Sequence, residues 1–412
     1  MKPKKPISHI PMSQFKSLDG ELLVNGKKLS ELKGKAGKRA FYAYDRSIMT
    51  HKINSFRQSM PAELKLHYAI KANPMPELVN FIAAQVDGLD VASGNELEVA
   101  LKSNISNRHI SFAGPGKQIE ELEKAINAEI TINIESLTEL ERINHICQQT
   151  GITAKVAIRV NPDFELKASG MKMGGGAQQF GIDAEQIPMI AKKIESFGLD
   201  YQGLHIFTGS QNLNADSIIQ AHTSIFELAT RLQRQFKQPI HSLNIGGGLG
   251  IPYFPGEKPL SLESIGEALK PHLESFQKEF GETHIAMELG RYLVGDSGIY
   301  VAEITDVKIS RGTTFAIING GLHHHLSASG NFGQVIRKNY PVSIGNKLDE
   351  SELLPIQIVG SLCTPLDLMA HKYPLPNPEI GDLVVIYQSG AYGYTASPIN
   401  FLSHPHPLEM LV

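Results

Sequence analysis

Apolar, β-branched runs recur at residues 66–72, 88–92, 109–113, 129–134, 154–160, 201–207, 242–245 and 284–288. Short runs of this kind, bounded by turn residues, read as buried strands. The stretches between them have helical spacing. Within 94–103, Leu97, Ala100 and Leu101 share one helical face, and Ser93 with Glu96 has the spacing of a capping box. Ser136 and Glu139 repeat that spacing, and 215–236 and 260–280 are longer amphipathic stretches. The alternation predicts an α/β fold, a closed parallel (β/α)8 barrel of TIM type. A doubly wound open sheet is the competing architecture. The reactive residues favour the barrel. Lys71, Asp90, Arg159, Phe207, the glycines at 246–248 and Glu288 all stand at or just past the C-terminal ends of runs. Barrel enzymes build their active sites on that face.

After about residue 295 the texture changes. Residues 299–309, 314–318, 354–359 and 383–388 read as strands without long helices between them, and 21–24 and 40–44 are also strand-like. The expectation is a barrel over 45–295 and a β-rich domain made of 1–44 and 296–412, since 412 residues exceed one ordinary core. Long irregular stretches at 164–179 and 320–333 interrupt the pattern, and loops of that length usually carry function.

A net charge of −3 gives no reason to expect nucleic acid or an anionic membrane as partner. The basic start lacks the apolar core of a signal peptide, and no apolar run is long enough to span a bilayer. With two cysteines, Cys147 and Cys363, a disulfide framework is not expected, and the default location is cytoplasmic.

Individual motifs carry the chemistry. Tyr68-Ala69-Ile70-Lys71-Ala72-Asn73-Pro74 brings a lysine to the end of a buried run, where an amine can lose its proton and attack carbonyls. Such a lysine can also simply reach solvent. Gly246-Gly247-Gly248 follows a strand. It reads as a tight turn or, better on a late barrel strand, as a phosphate-binding loop. It is neither a nucleotide P-loop nor a full dinucleotide fingerprint. Glu288, ahead of Gly290 and Arg291, is a buried carboxylate in need of a partner: a neighbouring cation, or a heteroaromatic nitrogen kept protonated. Phe207 can stack on a ring, although periodicity alone makes it core, and Ser210 adds a hydroxyl. Cys363 in a turn with Asp367 nearby is a candidate proton donor. Tyr392, between glycines, can bind an anion. His323, His324 and His325 are adjacent, and on a strand adjacent side chains alternate sides, so no metal site is assigned.

In this order, YAIKANP, DVAS, NIGGGLG, ELGR, C-x-x-x-D and GAY resemble the pyridoxal-phosphate decarboxylases of the ornithine/diaminopimelate/arginine type, which share a barrel with the alanine racemases. The resemblance runs from about Phe41 to the C-terminal end. It is closest to a subgroup found with bacterial exopolysaccharide and exosortase systems. It extends to decarboxylases of carrier-protein-tethered amino acids. It implies that Lys71 forms a Schiff base with pyridoxal 5′-phosphate and that Gly246, Gly247 and Gly248 cradle the phosphate, with Gly290, Arg291 and Tyr392 completing that site. Phe207 and Ser210 belong to the same cofactor pocket, Glu288 contacts the pyridine nitrogen, and Asp90 and Arg159 support the ring and the lysine. Cys363 and Asp367 would reach into a partner subunit's site, which implies a homodimer with shared active sites.

The departures concern the substrate. The place of the family's ring-stacking histidine is held by Phe207, with His205 two residues earlier. Thr364 stands where diaminopimelate enzymes carry a glutamate and ornithine enzymes an aspartate that reads the distal amine. Residues 319–323, with His323 as a candidate substrate contact, lack the aspartate used by ornithine enzymes, and Arg337 and Tyr340 are loose substitutes for the diaminopimelate-type arginine and tyrosine. Residues 168–179 look like an added loop. The expected substrate is an amino acid without a distal ammonium, possibly tethered to a carrier protein. The alternatives are an amino-acid racemase of the same fold, or a non-catalytic cofactor-binding protein.

Overall fold

The structure, a computed structural model, describes residues 8–164, 171–172 and 174–412. The loop expected at 164–179 therefore lies partly outside the described residues. The chain forms two compact units. One takes the residues up to His51, Pro252–Lys258 and Leu293–Val412; the other takes Lys52–Ile251 and Pro259–Tyr292.

In the second of these, eight parallel strands close on themselves: β1 (Lys65–Ala69), β2 (Gly88–Val91), β3 (Ile110–Phe112), β4 (Thr131–Ile134), β5 (Lys155–Asn161), β6 (Asp200–His205), β7 (Ser242–Gly247) and β8 (His284–Leu289). Each pairs with the next in chain order, and β8 pairs with β1, so the sheet is a barrel and not the open alternative. The strands are near-continuously buried, as expected when side chains fill the barrel inside and helices cover it outside.

The helices begin where the sequence signals them. Ser93 accepts from Glu96 N at 3.2 Å, and Ser136 from Glu139 N at 3.1 Å. The reciprocal half of each capping box is displaced by one residue. Glu96 takes the amide of Ala92 and Glu139 that of Glu135. Glu139 also holds the buried Lys117 ammonium at 2.7 Å. The helices Ala215–Gln233 and Leu262–Phe280 fall within the expected amphipathic stretches. No helix among the described residues is long and apolar enough to cross a membrane.

The other unit is β-rich. Its sheet contains β9 (Gly298–Ser310), β10 (Thr313–Ile318), β11 (Val342–Ile344), β12 (Leu354–Val359), β13 (Leu368–Leu375) and β14 (Leu383–Ile386) in the order β11-β14-β9-β10-β12-β13. Strand Phe41–Tyr44 pairs with β9 and with Leu408–Leu411, so segments from before and after the barrel join this sheet. Leu22, Val24 and Leu29 pack with Phe41, Ile299 and Val385 in one apolar cluster, which ties the N-terminal segment here.

Candidate active site

β1 stops at Ala69, and Ile70–Ala72 form a 3-10 turn. Lys71 thus sits on a turn beyond the strand and not on the strand that the sequence suggests. Asn73 N closes the turn on Ile70 O at 2.9 Å, and the Tyr68 hydroxyl donates to Asn73 O at 2.9 Å. Pro74 keeps Asn73 extended, which forbids further helix. The Lys71 side chain is 41% exposed, so its amine is open to a carbonyl compound. Its Nζ lies 3.8 Å from Glu288 Oε1 and 5.4 Å from the centre of the Phe207 ring.

Glu288 is buried at the end of β8. Asn244 Nδ2 donates to its Oε2 at 3.1 Å, and His205 Nε2 lies 3.1 Å from the same oxygen. Burial alone would push this carboxyl up. The charges of His205 and Lys71 override it and hold Glu288 well below the usual carboxylate range. His205 and Asn244 were not singled out as site residues from the sequence. His205 pairs in register with Arg159 on β5 and Asn244 on β7. That row is a property of the closed barrel, and no single run displays it.

The glycines of the β7 loop are required by close approach. A Cβ on Gly247 would stand 1.8 Å from Glu288 O, and one on Gly248 2.1 Å from Gly209 O. Gly246 and Gly248 also have φ of 71° and 79°, a region side chains disfavour. Backbone is thereby pressed together around Gly209-Ser210 and the end of β8. A Cβ on Gly290 would meet Ala72 Cβ at 2.8 Å, so Gly290 lets the strand end lie against the lysine turn, and Arg291 opens the helix Arg291–Val294 that follows.

Asp90 and Arg159 are buried and held by neighbours. Ser111 Oγ donates to Asp90, and His67 Nδ1 lies 3.4 Å from it. Burial would lower the His67 ring; the Asp90 charge overrides it and raises it. Arg159 Nη1 donates to Glu135 Oε1 at 2.9 Å, and its guanidinium lies over Phe180. Glu135 also accepts from Gly114 N and Gly181 N.

The remaining predicted residues belong to the β-rich unit, where three loops are tied together. Asp367 is buried and accepts from Leu322 N at 2.6 Å and Leu362 N at 2.9 Å, joining the loop of His323 to that of Cys363 and Thr364. Cβ atoms on Gly321 or Gly360 would collide with its carboxylate. Burial pushes Asp367 up, and these amides oppose it. Cys363 is exposed with a free thiol. Ser327 Oγ donates to the carbonyl of Tyr392, a residue at φ 53°, which adds the third loop. The three histidines lie outside any strand, so strand alternation is not what separates them. His324 is engaged by Tyr300 and Pro405, and His325 by Ser389, while the His323 ring makes tilted contacts with His324 and His404. Burial pushes the His323 ring down to about 4.

Within the barrel unit the donor set suits a pyridine aldehyde that carries a phosphate. An accessible lysine amine faces the aldehyde chemistry. A buried carboxylate held in its charged form suits a pyridinium nitrogen, and an aromatic ring lies beside the amine.

A closed parallel barrel with this lysine and carboxylate, in a chain that also builds a β-rich sheet, defines the class of alanine-racemase-like barrel enzymes. Residues 46–295 match the family model described as pyridoxal-dependent decarboxylase, pyridoxal binding domain. The chain belongs to that family. It is 36% identical over 377 residues, covering 90% of this chain and 88% of the relative, to the L-glutamyl-[BtrI acyl-carrier protein] decarboxylase of Niallia circulans. It is 32% identical over 404 residues, 96% of this chain and 91% of the relative, to the diaminopimelate decarboxylase of Aquifex aeolicus. The crystal structure of diaminopimelate decarboxylase from M. jannaschii superposes with a TM-score of 0.86 at 25% identity, covering 97% of this chain and 92% of that one. The protein is a pyridoxal-phosphate-dependent amino-acid decarboxylase.

Proposed function

We propose that this decarboxylase removes the α-carboxylate of an amino acid that lacks a distal ammonium and is delivered on a carrier protein. The observation that carries the reading is the polar inventory of the Cys363 loop. Thr364 offers a hydroxyl where a distal-amine enzyme needs a carboxylate. The nearby acid, Asp367, has both oxygens engaged by Leu322 and Leu362 amides. An ammonium brought there would meet a hydroxyl and a buried carboxylate already turned toward two backbone amides, a poorer partner than a free acid. The carrier-protein glutamyl decarboxylase among the relatives supports the same reading, because a glutamyl group has no distal ammonium.

The residue roles belong to this proposal. Lys71 would hold the cofactor aldehyde, Gly246, Gly247 and Gly248 would hold its phosphate with Ser210, Gly290 and Arg291, and Phe207 would supply an aromatic contact. Pyridoxal phosphate, when bound, supplies the sink for the electron pair that carbon dioxide leaves behind. Glu288 would keep the pyridine nitrogen protonated, and His205 and Asn244 keep Glu288 charged and oriented. Asp90 and Arg159 brace the surrounding wall through His67, Ser111 and Glu135. The working unit is a homodimer in which the partner subunit's Cys363 delivers a proton from Sγ to the α-carbon, and Lys71 is the second candidate donor.

The test is carbon dioxide release by the cofactor-loaded protein from a panel of free L- and D-amino acids, diaminopimelate and carrier-bound aminoacyl thioesters. We expect release from a carrier-bound member and none from diaminopimelate, ornithine or lysine. Lys71→Ala should lose both the release and the visible absorbance of the lysine-bound cofactor. Brisk release from a free diamino acid would overturn the substrate assignment, and full turnover by Lys71→Ala would overturn the role of the lysine.

A further inference from the structure

Cores of closed parallel barrels are ordinarily filled by layers of branched apolar side chains. This barrel departs from that toward its N-terminal mouth. Ser111, Thr131, Asn133, Ser242 and Asn244 line a cavity of about 160 Å³ within the ring of strands. Arg108, His109 and His241, which stand just ahead of β3 and β7, are exposed at its rim. A polar cavity of that size has room for several waters. Two of its lining residues also serve the candidate active site: Asn244 holds Glu288, and Ser111 holds Asp90.

His67 and His284 line the same cavity. Their Nε2 atoms are 3.0 Å apart, so one nitrogen donates and the other accepts. The His67 ring has a seat made for it. A Cβ on Gly88 would stand 2.4 Å from His67 Nε2, so the glycine leaves room for the ring. On its other edge, His67 Nδ1 lies 3.4 Å from Asp90 Oδ2 and 3.5 Å from Oδ1. Ser111 is neutral, and Asp90 Oδ2 takes no hydrogen bond among the described residues, so the ionic contact with His67 is what answers the Asp90 charge. Asp90 pairs in register with Ala69, the last strand residue before the turn that carries Lys71.

The charges around His67 come from several elements. Glu288 and Asp87 act on it besides Asp90, but each has a cation of its own. Glu288 has His205 and Lys71, and Asp87 has Arg57 at 2.7 Å. Lys65, Arg108, His109 and His241 stand on the cationic side, toward the mouth. Burial, with His67, His109 and Lys65 nearby, pushes the His284 ring down to about 4, so His284 is the neutral acceptor of the pair. Burial would lower His67 too, but Asp90, then Glu288 and Asp87, raise it.

We propose that His67 is a positioning residue that acts through Asp90. Seated over Gly88 and donating to His284, its imidazolium supplies the counter-charge that fixes the Asp90 carboxylate beside the lysine turn. The polar cavity joins this ring to solvent at the N-terminal mouth, so the counter-charge follows the pH. The inference rests on the role given to Asp90 above and adds the group that fixes it. The contribution is present while His67 is protonated and is lost as the pH rises through its raised value.

The first readout is independent of activity. NMR of the full-length protein with ring-labelled histidine, cofactor-free and loaded, should show one ring that titrates above about 6.5. That ring should be absent in His67→Gln and shift down in Asp90→Asn. If His67→Gln does not fold, the Asp90→Asn response identifies the ring by itself. A His67 ring that titrates at or below about 6.5, or that ignores Asp90→Asn, overturns the inference. The second readout is the dissociation constant for pyridoxal phosphate as a function of pH. His67→Gln should weaken binding about 10-fold below the His67 titration, and the gap from wild type should close above it, which also shows that the variant folds. The double variant with Asp90→Asn should bind as Asp90→Asn alone does. A loss that is the same at every pH, or that adds to the loss in Asp90→Asn, marks a role in folding alone and overturns the inference. Wild-type affinity in Asp90→Asn overturns the role of Asp90 and this inference with it. An impaired Asp90→Asn beside an indifferent His67→Gln overturns this inference alone.

Discussion

Glu288 shows how much of this site depends on single charges. It is buried, faces the Lys71 ammonium, and is held by Asn244 and His205. Glu288→Gln keeps the shape and removes the charge that matches a pyridinium. We expect kcat for carbon dioxide release to fall about 10²- to 10³-fold while the lysine-bound cofactor still forms, read by absorbance alongside steady-state rates. A kcat near wild type would show that the carboxylate serves folding alone. Glu288 could be singled out in the sequence because a charged residue at the end of an apolar run needs a partner. Which partners it has could not be read there. His205 and Asn244 come from other strands, and the sequence comparison with the family directs attention to Phe207 instead.

At the scale of elements, the β7 loop and the lysine turn show local chemistry and tertiary packing acting on the same few residues. The run of three glycines is visible in the sequence, and either a tight turn or a phosphate loop explains it. The structure adds a third reason, backbone against backbone, at Gly247 beside Glu288 and at Gly248 beside Gly209. Gly248→Ala should cost about 1–3 kcal/mol from the positive φ and the collision together. It should also weaken cofactor binding, which a cofactor titration followed by thermal unfolding would measure. Unchanged stability would mean the loop can shift freely. The lysine turn is the reverse case. The proline that ends the run is plain in the sequence, whereas the 3-10 turn at Ile70 and the bond from the Tyr68 hydroxyl to Asn73 O that spans it are not.

For the whole molecule, buried histidines couple stability to pH. His222 is fully enclosed, and burial, with His272 nearby, pushes its ring from about 6.5 down to about 4. The folded value is below the unfolded one, so the unfolded chain takes up the proton first. Its contribution is complete above about pH 6.5 and declines as the pH falls toward 4, by about 3 kcal/mol in all. Urea midpoints between pH 7 and pH 4 should show this decline, and His222→Leu should flatten it. An identical slope in the variant would assign the effect to other groups. The proposed shared site makes a second prediction at this scale. If Cys363 is the donor and Cys363→Ala is inactive, mixing it with inactive Lys71→Ala should restore about a quarter of wild-type activity, because half of the dimers are mixed and each carries one intact site. No recovery after subunit exchange would place both residues in a site made by one chain.

What could be read in the sequence by itself was the order of elements and the residues proposed to carry the chemistry. Eight apolar runs with helical spacers dictate parallel strands, and a lysine, a glycine run and a buried acid at their C-terminal ends dictate one face for the chemistry. Local patterns suffice there, because strand burial and helix amphipathicity have periods of a few residues. The tertiary structure alone decided that β8 meets β1, that Arg159, His205 and Asn244 share one row, and that Asp367 spends its carboxylate on the Leu322 and Leu362 amides. Each of these joins residues far apart in the chain. Such contacts are set by barrel closure and by the need to satisfy buried polar groups, and neither leaves a local pattern along the sequence.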